Sequence, residues 1–216
     1  MYKLEKQSLI DCALQMKACR LITLCGGNVC LRLDGGNIAV TPSGLDYENM
    51  TTDDICIVDI DGKRVEGHRR PTSDLESVLH IFRKMPWVNA TIHTHQPYAT
   101  ALGLVTDVFP ACLVSQIDAL RGDVPVAPFT PSSDKGMGIL AEEYANGSLA
   151  VILRGHGVMA FGPTLQVALY AAAYLEEAAQ TYLAALSTGR SVEPLPPEMV
   201  KAELGDEDSW LRYLQK

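Results

Sequence analysis

The chain has 216 residues, a formal net charge of −8 at neutral pH and 47% apolar side chains. That length suits one large domain or two small ones with a sizeable core. The acidic balance lacks the basic patch that a nucleic-acid or anionic-membrane partner needs, and no run of ~18 apolar residues is present to span a bilayer.

Residues 1–7 show neither an apolar signal core nor a small-residue cleavage site, so a cytoplasmic location is the expectation. Residues 7–24 then place apolar side chains at Leu9, Ile10, Ala13, Leu14, Leu21 and Ile22, the rhythm of a helix with one buried face, and Gly26-Gly27-Asn28 stops it. Val29 to Leu33 alternates, Asp34-Gly35-Gly36-Asn37 turns and Ile38 to Thr41 returns, which predicts a β-hairpin. A loop follows at 41–47, then a third strand at 55–60 that closes at Asp61-Gly62. A helix is predicted over 75–84, with Thr72 or Ser73 as its N-cap and Pro86 as its stop. The next strand carries His93 and His95, and another helix starts near Pro97. Residues 108–114 lead to a strand at 124–129, and 132–144 reads as an amphipathic helix. Strands at 150–155 and 158–163 flank His156, an alanine-rich helix fills 164–186, and Gly189 ends it. A proline-rich stretch (Pro194, Pro196, Pro197) precedes an acidic tail with a last short helix at 210–214. Strands and helices interleave without a break in composition, so the expectation is one α/β domain over 1–189 with a tail over 190–216. The six cysteines (Cys12, Cys19, Cys25, Cys30, Cys56, Cys112) lack C-x-x-C spacing and read as free thiols; Cys25, just before Gly26-Gly27, has the most suggestive place.

Three histidines carry the chemistry. His93 and His95 are two apart in a strand, where side chains alternate with period two, so both imidazoles leave on one side. His156 follows another apolar run that breaks at Gly155 and Gly157. Three imidazoles with an open position are a common holder for a catalytic divalent metal. Imidazole suits zinc and also iron, cobalt, nickel or copper, and a site of two histidines with the carboxylate of Asp74 is a chemical alternative. His68 and His80 lack such a setting and read as surface or helix residues.

Three small polar loops supply the second constellation: Gly26-Gly27-Asn28, Thr41-Pro42-Ser43-Gly44 and Pro71-Thr72-Ser73-Asp74. Each offers backbone N–H groups and short donors at the end of an element, an arrangement that binds phosphate without a lysine. No P-loop or G-x-G-x-x-G accompanies them, so nucleotide binding has no motif behind it. Beside a metal, the loops suggest a small phosphorylated substrate. A general base next to a polarised carbonyl must be a positioned titratable group. Asp74 and Asp118 are the candidates, although Asp118 and Asp123 can equally serve as caps.

Taken in order, these segments resemble the class II aldolase family, which includes L-fuculose-phosphate aldolase, L-ribulose-5-phosphate 4-epimerase and the non-catalytic adducin head domain. The matching pieces are G-G-N-V at 26–29, T-P-S-G at 41–44, P-T-S-D at 71–74, H-T-H at 93–95, V-P-V-A-P at 124–128 and G-H-G at 155–157. The resemblance covers nearly the whole chain up to residue 186. It implies a central, mainly antiparallel sheet flanked by helices, and a homotetramer with active sites between subunits. It implies zinc, with manganese, cobalt or iron(II) left open, on His93, His95 and His156. It also implies a phosphate site of Asn28, Ser43, Gly44, Thr72 and Ser73, with Thr41 nearby. In such enzymes the metal chelates adjacent hydroxyl and keto oxygens and stabilises the enediolate formed when a carbon–carbon bond breaks. The carboxylate at 74 alternates between metal ligand and proton-transfer group, and a C-terminal tyrosine from a neighbouring subunit, here Tyr213, assists. The tail is expected to pack near the active site or a neighbouring subunit.

Two departures bear on the reaction. The aldolases usually carry glutamate where Asp74 stands, and fuculose-type enzymes carry a tyrosine before the V-P strand, where this chain has none between Tyr98 and Tyr144. The epimerase pattern has aspartate at both places, and Asp118 lies seven residues before Pro125. Against the epimerase, the chain ends soon after the long helix, like a short aldolase. The expected function is aldolase cleavage of a small ketose phosphate, with epimerisation as the alternative and decarboxylation of a phosphorylated keto acid third. An adducin-like binding module would lack ligands, and all three histidines are present.

Overall fold

The computed structural model describes residues 2–132 and 135–205. Helix α1 (Lys3–Ala18) leads into β1 (Asn28–Arg32) and β2 (Ile38–Val40), the expected hairpin, followed by β3 (Cys56–Val58) and β4 (Arg64–Glu66). Helix α2 (Leu75–Lys84), β5 (Ala90–Thr94), α3 (Pro97–Gly103), β6 (Val108–Phe109), α4 (Val114–Leu120) and β7 (Val124–Ala127) follow. The chain continues through α5 (Gly136–Ala145), β8 (Ala150–Leu153), β9 (Gly157–Gly162), α6 (Leu165–Leu186) and α7 (Pro197–Leu204). Among the described residues the strands form one nine-stranded sheet in the order β4-β3-β2-β1-β5-β9-β8-β7-β6. Every neighbouring pair is antiparallel except β7 with β8. The single α/β architecture read from the sequence therefore holds.

Strand alternation divides the core between two faces. Val29, Ile57, Ile92, Ile152, Val158 and Ala160 pack with Leu9, Met16, Leu102, Leu120 and Leu175 of α1, α3, α4 and α6. Their neighbours Cys30, Cys56, Val58, Val151, Met159 and Phe161 pack with Val78, Phe82, Met137 and Ala141 of α2 and α5. Burying both faces accounts for the continuous apolar runs in the central strands. It also sets the site: odd-numbered residues of β5 face α2, and even-numbered ones face α6.

Four local expectations need correction. The first helix ends at Ala18 rather than near residue 24, because Arg20 (φ 59°) and Leu24 (φ 55°) take left-handed conformations that a helix excludes. Asp74, not Thr72 or Ser73, occupies the N-cap position of α2, and Thr72 Oγ1 accepts the Asp74 N–H at 3.3 Å. The fifth helix starts at Gly136 rather than 132. Strand β4 and helices α4 and α7 were not expected: β4 is an edge strand with exposed Arg64 and Val65, and α7 buries none of its residues, so neither shows a clear apolar period. Pro197 fits the first turn of α7 because its missing N–H has no partner there in any helix. The tail returns to the domain where Leu195 N–H donates to Ala111 O at 2.8 Å. The predicted helix at 210–214 lies outside the described residues. All six cysteines are free, and no described helix is long and apolar enough to cross a membrane.

Candidate metal centre and active site

His93 lies in the middle of the sheet. The register pairs it with Asn28 of β1 on one side and Met159 of β9 on the other. His95 follows just past the end of β5, and His156 occupies the turn between β8 and β9, whose pairing with β5 brings it to the same place. The three side chains each offer one ring nitrogen, all within 4.8 Å of one another.

These rings suit a metal. Val158 O can only accept, so at 2.9 Å the His93 Nδ1 must carry the proton and Nε2 keeps its lone pair. That Nε2 stands 3.1 Å from His95 Nε2. Two nitrogens each ~2.0–2.1 Å from a tetrahedral zinc would be ~3.3 Å apart, so the spacing fits. Burial, then the neighbouring His95 and His156, push the His93 imidazolium down to about 3. Burial also lowers His95 and His156, although the charge of Asp74 partly offsets it. Neutral imidazole is the ligand form.

Two glycines allow the strands to close on the end of β5. A Cβ on Gly157 would meet Thr94 O at 2.0 Å, and one on Gly27, whose φ is +76°, would meet His93 O at 2.2 Å. Any side chain at either position would separate the strands that carry the ligands.

Opposite the histidines, a polar cleft of about 220 Å³ is lined by Ser43, Gly44, Thr72, Ser73, Asp74, His95 and His156, with Cys25, Gly26, Gly27, Pro42 and Ser132 completing it. The two hydroxyl-bearing loops are tied together: Pro42 bridges Pro71, Thr72 N–H donates to Thr41 O at 3.1 Å and Ser43 N–H to Arg70 O at 3.0 Å. Those two amides are thereby committed, while the Ser43 and Thr72 hydroxyls face the cleft as candidate donors for an anion. Asp74 does not cap its own helix. Its Oδ2 accepts from Asn28 Nδ2 at 2.7 Å and its Oδ1 from Ser73 Oγ at 3.3 Å. Burial raises its pKa, against the pull of His156, Ser73, His95 and Asn28.

The sequence model described as Class II Aldolase and Adducin N-terminal domain matches residues 7–183. This chain belongs to the class II aldolase family. A 5-deoxy-D-ribulose 1-phosphate aldolase from Bacillus thuringiensis is 32% identical over 187 residues, 86% of this chain and 87% of that protein. An L-ribulose-5-phosphate 4-epimerase from Salmonella paratyphi B is 29% identical over 203 residues, 88% of this chain and 89% of the other. The structure of an L-fuculose 1-phosphate aldolase aligns with a TM-score of 0.86 at 30% identity, over 92% of this chain and 93% of that one. Class II aldolase relatives thus carry both aldolase and epimerase names, and the three-histidine group stands where a family metal can be held.

In this class II aldolase-family chain, the cleft gathers most of the residues singled out from the sequence. Asn28 is fully buried and reaches the cleft through Asp74. Thr41 is also buried, and its hydroxyl accepts Val29 N–H at 3.2 Å, so it braces the loop rather than lining the cleft. Asp118 is exposed on α4, and its pKa is raised by partial burial and by Glu203 of α7; it is not among the residues that line the cleft. Tyr213 lies outside the described residues. Sequence reasoning missed Ser132, which carries no local signal, and the buried polar pair Gln96 and Glu176, whose contacts are long-range.

Proposed function

We propose that the chain is a zinc-dependent aldolase that cleaves a small ketose phosphate by retro-aldol chemistry. The observation behind this reading is that two of the three grouped histidines, His95 and His156, line one polar cleft with the hydroxyl-bearing loops. When bound, the divalent ion supplies Lewis-acid polarisation of a carbonyl oxygen. His93, His95 and His156 would hold it. The Ser43, Thr72 and Ser73 hydroxyls would bind the phosphate, with the Gly44 backbone beside them.

Asp74 is the proposed proton acceptor. With Oδ2 held by Asn28, Oδ1 can take the proton of the substrate hydroxyl whose carbon becomes the aldehyde. Its burial-raised pKa makes it a better base than a solvated carboxylate. The electron pair of the breaking carbon–carbon bond moves towards the ketose carbonyl, and the resulting carbon centre then takes a proton. Tyr213 of a neighbouring subunit in a homotetramer is our candidate for that donor.

Epimerisation is the second reading, because aspartate stands at 74 and Asp118 seven residues before Pro125, as in the epimerase pattern. A panel of ketose 1- and 5-phosphates separates the two. The aldolase releases a free aldehyde, together with dihydroxyacetone phosphate from a 1-phosphate or dihydroxyacetone from a 5-phosphate, whereas the epimerase returns an epimer without free aldehyde. Release of neither product from any member would overturn both.

A further inference from the structure

We propose that Glu176 and Gln96 are positioning residues for the metal centre, clasping from the opposite face of the sheet the backbone on both sides of His95. The inference rests on reading the three histidines as a metal site.

His93 and His95 lie on one side of the strand, so Thr94 and Gln96 turn to the other, towards α6. Thr94 Oγ1 donates to Gln96 Oε1 at 2.6 Å, and Gln96 Nε2 donates to Ala172 O of α6 at 3.1 Å. Helix α3 begins at Pro97, two residues after His95. Pro97 has no N–H, so Tyr98 and Ala99 carry the first unsatisfied donors of that helix. A cap would ordinarily come from the side chain at the N-cap position, Gln96, but that side chain is turned to α6. Glu176 of α6 replaces it. Its Oε1 accepts Tyr98 N–H at 2.9 Å and its Oε2 accepts Ala99 N–H at 3.0 Å. A carboxylate only 8% exposed carries a desolvation cost that these donors offset.

His95 needs this support more than His93 does. The His93 ring is fixed by Val158 O. Among the described residues, the side-chain hydrogen-bond partner of His95 is His93 itself, across the space a metal would occupy. Metal-bound histidines usually have an outer partner that orients the ring. For His95 that task falls to the backbone at 94–99, and the clasp holds that backbone.

The test is a cobalt(II) titration of metal-free protein, reading affinity and the visible spectrum that reports ligand geometry. Glu176→Gln keeps the volume but turns an N–H donor towards one of the two amides. It is expected to weaken cobalt binding by about 10–100-fold and to change the spectrum. Ile57→Ala serves as the stability control: β3 lies three strands from β5, ~14 Å at ~4.8 Å per strand. It should melt lower yet bind cobalt with wild-type affinity and spectrum. Unchanged affinity and spectrum in Glu176→Gln would overturn the proposal, as would equal changes in Ile57→Ala. If Glu176→Gln does not fold, Gln96→Leu carries the same expectation and the same overturning result. Failure of the metal reading looks different: wild type would not bind one cobalt per chain, or His95→Ala would bind as wild type does.

Discussion

The two walls of the cleft are built by different means. The histidine wall rests on β5 and β9 at the centre of the sheet, where register pairs His93 with Asn28 and Met159. A slip of one residue there would turn every side chain to the other face. The hydroxyl wall consists of loop residues around Ser43 and Thr72, joined by the Pro42–Pro71 bridge and two backbone hydrogen bonds. Loops accept substitution and insertion more readily than central strands do. The proposed function thus puts metal chemistry on the rigid part and substrate recognition on the adaptable part. Relatives named for 5-deoxy-D-ribulose 1-phosphate, L-ribulose 5-phosphate and L-fuculose 1-phosphate are consistent with that division.

The largest effect should come from the histidine wall. His95→Ala is expected to lose metal and activity by more than the ~10–100-fold typical of outer-shell changes. Elemental analysis of the purified variant checks this, and full metal retention would break the comparison. The two walls should also differ in their tolerance of a methyl group. Gly157→Ala drives a Cβ into Thr94 O and should destabilise by about 2–3 kcal/mol in urea unfolding. At Gly44 a Cβ meets open space, so Gly44→Ala should cost only the ~1 kcal/mol of its left-handed backbone (φ +74°). Equal losses at the two glycines would contradict the difference in rigidity.

On the hydroxyl wall, Ser43→Ala or Thr72→Val each removes one donor to a charged group. KM should rise by about tenfold with kcat little changed, at the low end for hydrogen bonds to ions. A fall in kcat with KM unchanged would assign these hydroxyls to the chemistry instead.

The smallest effect concerns pH. The folded pKa of His93 lies at about 3, below its ordinary 6.5, so the unfolded chain binds more protons between those values. The contribution of His93 is then intact above about pH 6.5 and declines as pH falls towards 3. Asp74, with its raised pKa, acts in the opposite sense, so the comparison must be made against His93→Gln. Metal-free wild type should lose about 5 °C more than His93→Gln between pH 7 and 5. Parallel melting curves would show that burial does not hold this histidine neutral.

The legible parts of the site were those written in short stretches of chain. His93-Thr94-His95 shows its shared face through period two, and Gly155-His156-Gly157 shows a break after an apolar run. Pro71-Thr72-Ser73-Asp74 marks a helix start, although which residue caps it depended on Asp74 turning to Asn28 rather than to its own helix. Helix α7 was hidden because it buries no residue and so leaves no apolar rhythm. The supporting set was hidden for another reason: Glu176 reaches Tyr98 and Ala99 across 78 and 77 positions of sequence. A glutamate in an alanine-rich helix carries no local mark of such contacts.

By itself the sequence determined the identity and spacing of the candidate metal ligands, the interleaving of strands and helices, and the family. Each depends on patterns a few residues long. The tertiary structure alone decided that Asn28 reaches the cleft through Asp74, that the Thr41 hydroxyl takes the Val29 N–H, that Asp118 is not among the residues lining the cleft and that α6 holds the turn after His95. Those outcomes depend on strand register and on buried hydrogen bonds between distant segments. Register and long-range pairing are set when the whole sheet closes, so no short stretch of chain encodes them.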